Sequence, residues 1–70
     1  LAPQQAMHDV EQATDELRDA LALHGLTFPS LGVDPVTYAG LYPLPLVELG
    51  RCPVHVAVRL TEVLRKAAAR

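Results

Sequence analysis

Between Pro3 and His24 the positions Met7, Val10, Ala13, Leu17, Ala20, Leu21 and His24 recur at spacings of three and four, while Asp9, Glu16 and Asp19 fall off that stripe. Side chains three and four apart share one face of a helix, so the pattern predicts an amphipathic helix over about 3–24. Gly25 followed by Leu26 supplies its end: glycine takes the left-handed position past the last turn, and the next leucine folds back on the helix. The carboxylates sit mainly in the first two thirds, toward the end where the helix dipole favours them.

The pattern breaks in residues 27–53. Pro29, Pro35, Pro43, Pro45 and Pro53 alternate with Gly32, Gly40 and Gly50, which rules out a long helix. Yet Leu31, Val33, Val36, Leu41, Leu44, Leu46, Val47 and Leu49 make the segment as apolar as a core, so it is expected to fold back over the helices. Leu31–Val33 and Leu46–Leu49 read as short strands, with Pro43 and Pro45 confined to an edge or a strand start. Asp34 before Pro35 has the form of an N-cap with proline at the first helical position, which allows one short helical turn through Tyr38.

Two periods compete after Pro53. Val54, Val56, Val58 and Leu60 alternate with His55, Ala57, Arg59 and Thr61, a strand pattern built from β-branched residues. His55, Arg59, Glu62 and Lys66 instead form one polar stripe at helical spacing. Glu62 and Lys66 have the favourable order for an i,i+4 pair, Pro53 suits a first turn, and Leu64–Arg70 is rich in helix formers with its cations at the end. The helix is the reading adopted, over about 53–69. Its polar stripe is narrow, so it belongs either at the centre of the fold or in an interface. The predicted fold class is α+β: two packed helices, about 3–24 and 53–69, with a short hairpin or irregular Pro/Gly-rich arch between them, in a single domain over 1–70. The alternative is all-α.

Residues 45–65, PLVELGRCPVHVAVRLTEVLR, and residues 28–35, FPSLGVDP, resemble small uncharacterised actinobacterial-type proteins. In that group an N-terminal helix precedes a Pro/Gly-rich stretch, and a C-terminal helix follows an LGRC-type turn. The resemblance covers about half the chain, implies no activity, cofactor or site residue, and supports only the helical reading of the last segment.

Size and charge then bear on how such a fold is held together. Seventy residues, half of them apolar but with only Phe28, Tyr38 and Tyr42 aromatic, leave a core of Leu, Val and Ala. Chains this short usually need a staple. The lone Cys52 excludes an internal disulfide, and no cysteine set exists for structural zinc. Self-association is therefore the expected source of further buried area, and a homodimer the default expectation. Residues 1–25 carry Asp9, Glu11, Asp15, Glu16 and Asp19 against Arg18, a net −4; residues 51–70 carry Arg51, Arg59, Arg65, Lys66 and Arg70 against Glu62, a net +4. These halves attract, within one chain or across a dimer. No apolar run approaches the ~20 residues of a membrane helix. Leu1–Gln5 has neither the basic nor the apolar part of a signal peptide, and the sequence reads as cytoplasmic.

Candidate chemistry is sparse. Cys52 lies three residues before His55 and beside Arg51 at a helix start, where dipole and cation both favour the thiolate, so Cys52 is a candidate reactive thiol; the plainer reading is a small residue at a tight turn. His8 and His24 are too far apart on one helix to chelate, and no metal site or cofactor is expected. The single serine, Ser30, has no neighbouring base, no phosphate loop or nucleophile elbow occurs, and so short a chain is not expected to enclose a ligand-sized pocket. No enzymatic activity is expected. Arg51, Arg59, Arg65, Lys66 and Arg70 would suit a DNA-reading helix, but Glu62 interrupts them and the pI of 5.8 is far from a nucleic-acid footprint.

The expected function is that of a small regulatory or adaptor protein acting through protein contacts as a homodimer, and on another protein as well. Its candidate interface is Tyr38, Leu41, Tyr42, Leu44, Leu46, Val56, Leu60 and Val63, with the two tyrosines as anchors. The same side chains serve equally as the core of a compact monomer. DNA binding as a transcriptional regulator is the alternative, and a thiol-based redox or disulfide-linked role for Cys52 is the second alternative.

Overall fold

In a computed structural model of the chain, residues 3–35 and 45–69 are described. They form α1 (Pro3–Ala22), β1 (Gly32–Val33), β2 (Val47–Glu48) and α2 (Val54–Ala68). Among the described residues the fold is α+β, two helices and one small antiparallel ribbon, as the pattern predicts. The short turn expected from Asp34 to Tyr38 lies, beyond Pro35, outside the described residues.

The buried face of α1 is rotated from the expected stripe. Val10 and Thr14 are buried and Met7 and Leu21 half-buried, whereas Ala13, Ala20 and His24 are exposed and Leu17 sits at the margin. The face therefore runs through Met7, Val10, Thr14 and Leu21, with a polar residue at its centre. Thr14 is only 3% exposed. Its hydroxyl donates to the Val10 carbonyl at 2.7 Å, one turn back, and that bond meets the polar group's need inside the apolar face.

The end of α1 follows its expected glycine signal. Leu26 N–H donates to the Leu21 carbonyl and Gly25 N–H to the Ala22 carbonyl, both at 3.0 Å. This is the Schellman pair of bonds, with Gly25 at φ 70° in the left-handed position and Leu26 buried just beyond it. The chain then passes through a turn in which Leu31 N–H donates to the Phe28 carbonyl at 3.1 Å, Pro29 supplying the preset φ of the second position.

That turn delivers β1, which pairs with β2 in the register Gly32↔Glu48 and Val33↔Val47, one further bond running from Asp34 N–H to the Leu46 carbonyl at 3.0 Å. A ribbon so short does not stand alone. It is held against α1, which packs on β1. The Arg18 guanidinium adds a polar link by donating to the Leu31 carbonyl and the Asp15 carboxylate, each at 2.9 Å. Gly50, at φ 79°, then carries the chain closely past Ser30; a Cβ there would stand 2.6 Å from the Ser30 Cβ.

The contest over 54–60 is settled for the helix. Pro53 is its N-cap rather than its first helical residue, so the helix begins one position later than expected, and the Pro53 carbonyl accepts from both Val56 and Ala57 N–H at 3.0 and 3.1 Å. The alternating valines are thereby spread around the helix, and only Val56 of α2 is buried. Glu62 pairs not with Lys66, as its spacing suggests, but with Arg59 at 3.4 Å. The Arg18–Asp15 pair is likewise local. Neither of these two joins the acidic helix to the basic one.

The interior is thin. Val10, Leu26, Leu31 and Val56 are the buried apolar side chains among the described residues. The chain measures 38 × 26 × 17 Å. Its accessible surface of 5465 Å² exceeds by about 1,200 Å² the roughly 4,300 Å² of a compact chain of this mass.

The two glycines with positive φ should respond differently to alanine. Gly25→Ala meets no neighbour and adds only left-handed strain, so it should lower unfolding free energy by about 1 kcal/mol. Gly50→Ala adds a collision with Ser30 and should cost upward of about 2 kcal/mol, read as the shift in denaturant midpoint. Thr14→Val keeps the shape and removes a hydroxyl whose bond is only to its own helix. Its unfolding free energy should stay level or rise by up to about 1 kcal/mol in the same titration.

Candidate functional site

Where the sequence places an interface, the structure divides the residues. Tyr38, Leu41, Tyr42 and Leu44 lie outside the described residues. Leu46, Leu60 and Val63 are half-buried, and Val56 is buried within the chain. Val56, Leu60 and Val63 recur at four and three along α2 and mark its inward face.

The outward face of α2 is apolar too. Val54, Ala57, Thr61, Leu64 and Ala68 follow one another at three, four, three and four, with Val58 beside them, all exposed. Val54 is 80% exposed and Leu64 59%. Thr61 keeps this strip from being polar by donating its hydroxyl to the Ala57 carbonyl at 2.9 Å. Away from that strip, Leu17 at the margin, Leu49 and, above all, Leu23 at 85% are the other exposed large apolar side chains among the described residues. The outward strip of α2 does not stand out by helical periodicity, because a helix apolar over most of its circumference gives little contrast between its faces.

A second feature lies where the end of α1 comes near α2. His24, Arg59, Val63, Lys66 and Ala67 line an open groove of about 400 Å³. The sequence gives no expectation of a pocket in the range of small-ligand sites, about 300 Å³ or more. The volume reaches that range, but every lining residue except Val63 is exposed. It is a surface trough with an apolar floor and nitrogen-bearing walls, suited to a protruding apolar side chain flanked by carboxylates rather than to an enclosed small molecule.

The remaining candidates stay apart. Cys52 is a half-buried free thiol just before the Pro53 cap. His8, His24 and His55 are exposed, and among the described residues no three His, Cys, Asp or Glu side chains are grouped to hold a metal. Ser30 belongs to the turn against Gly50. The cations of the last segment are not one stripe: Arg59 and Lys66 wall the groove, while Arg65 stands on the outer face with Val54 and Val58. No helix of the described residues is long and apolar enough to cross a membrane.

No protein-family model matches the chain, and no curated protein or solved structure matches it either. The resemblance of residues 28–35 and 45–65 therefore brings no activity to this site.

The two faces of α2 should differ in what they tolerate. Val56→Ala, inside, should lower unfolding free energy by roughly 1.5–2 kcal/mol, whereas Val58→Gln, outside, should change it by no more than about 0.5 kcal/mol in chemical denaturation.

Proposed function

We propose that this chain is a small non-enzymatic regulatory or adaptor protein that acts through protein–protein contacts and does so as a homodimer in the cytoplasm. One observation carries the reading: Leu23, Leu49, Val54, Val58 and Leu64 are more than half exposed, while only four apolar side chains among the described residues are buried. Apolar surface in that proportion marks interaction sites on small domains. The lone Cys52 supports the same reading, since a second chain supplies the burial that an internal disulfide would otherwise add to so short a chain. A lone thiol fits a reducing compartment.

DNA binding has less support, because the exposed cations are divided between two faces of α2 and Arg59 is engaged by Glu62. A disulfide-linked dimer has less again, since the exposed apolar side chains offer a contact that needs no bond at half-buried Cys52.

Light scattering across a concentration series should give twice the chain mass of 7.6 kDa, with and without reductant, and the same for Cys52→Ser. A stable monomer at micromolar concentration sinks the homodimer and the main support for partner binding. A dimer present only without reductant transfers the role to Cys52.

A further inference from the structure

We propose that the dimer closes by a reciprocal exchange of Leu23, each protomer seating the turn at the end of its α1 in the His24–Arg59–Lys66 groove of a second copy. The inference rests on the homodimer reading and assigns it a surface.

The groove and its occupant are both on the chain. Gln12, Glu16, Asp19 and Leu23 follow one another at four, three and four along α1, so they share its outward face, with the leucine at the tip. Leu23 is 85% exposed, the most exposed large apolar side chain among the described residues. The groove offers the complement: Val63 and Ala67 as apolar floor, Arg59 and Lys66 as walls. Leucine on that floor would bring Asp19 and Glu16 toward the two cations. Asp19 and Lys66 make no ion pair among the described residues, and the Arg18–Asp15 and Arg59–Glu62 pairs are internal to their helices. Asp19 and Lys66 are thus the opposite charges that this interface brings together.

The placement of Leu23 selects a second copy over an unrelated acidic partner. Leu23 is the immediate neighbour of His24, which lines the groove of its own chain. Tip and groove therefore adjoin without the tip filling the groove beside it. A two-fold axis beside this turn carries each tip over the other groove in one operation, and the contact closes on itself as an isologous dimer does.

The test uses substitutions at exposed helix positions, with circular dichroism confirming unchanged helix content. Asp19→Lys and Lys66→Glu should each be monomeric at concentrations where the unaltered chain is dimeric, and an equimolar mixture of the two should recover dimers. In the mixture the introduced lysine of one variant faces the introduced glutamate of the other at one contact, and the unaltered Asp19 and Lys66 face each other at the second. Each variant alone instead opposes like charges twice. Leu23→Ser should raise the dissociation constant roughly a hundredfold, since the loss counts at two sites. An unaltered chain that dimerises while all three variants dimerise equally well overturns this surface and leaves the homodimer standing. Loss of the dimer on Val58→Glu but not on Leu23→Ser also overturns it, by moving the contact to the outer face of α2. A monomeric unaltered chain overturns both.

Discussion

Half of this chain is apolar, yet among the described residues only four apolar side chains are buried. The other features of the structure follow from that mismatch. Among the described residues the interior comes down to Val10, Leu26, Leu31 and Val56, and the remaining leucines and valines of the helices stand at its edge or in water. Stability in small domains rises with the fraction of surface buried.

With so few apolar contacts, placement falls to polar groups and to backbone shape. Arg18 is the clearest case. One end of its guanidinium is held by Asp15 on its own helix, and the other reaches the Leu31 carbonyl at the threshold of β1, which sets how far along α1 the ribbon sits. A hydrogen bond from a charged donor is stronger than a neutral one. Thr14 acts by the opposite route, turning its polar group back on its own helix so that the face it occupies can close.

Most of the architecture was legible in the residues because its signals are local. Gly25–Leu26 announces the end of α1 through the one residue that takes positive φ without strain, and proline and glycine spacing marked both strands to within a residue. The helix over 54–60 was legible only against a competing alternation; it was decided by the helix-forming tail beyond Leu64 and the polar stripe beside it. What could not be read was rotation and partnership. Ala13, Ala20 and His24 fit the same spacing rule as the true buried face, and only the packing of α1 on β1 chooses Thr14 instead. Glu62 has cations three residues before it and four after it, and the sequence order favours the wrong one. For the site, the charge division of the chain was plain, but the groove depends on where the end of α1 comes to rest against α2, a relation that no local pattern encodes.

The close approach of Gly50 to Ser30 has a mechanical consequence. Because the backbone at Ser30 lies within 3.0 Å of any Cβ at position 50, the turn over 28–31 and the run leading into α2 fit together like a latch, with no side chain between them to yield. Separating α2 from the body therefore means opening the close fit at Gly50 as well, which ties the entry to the last helix to the turn that delivers β1.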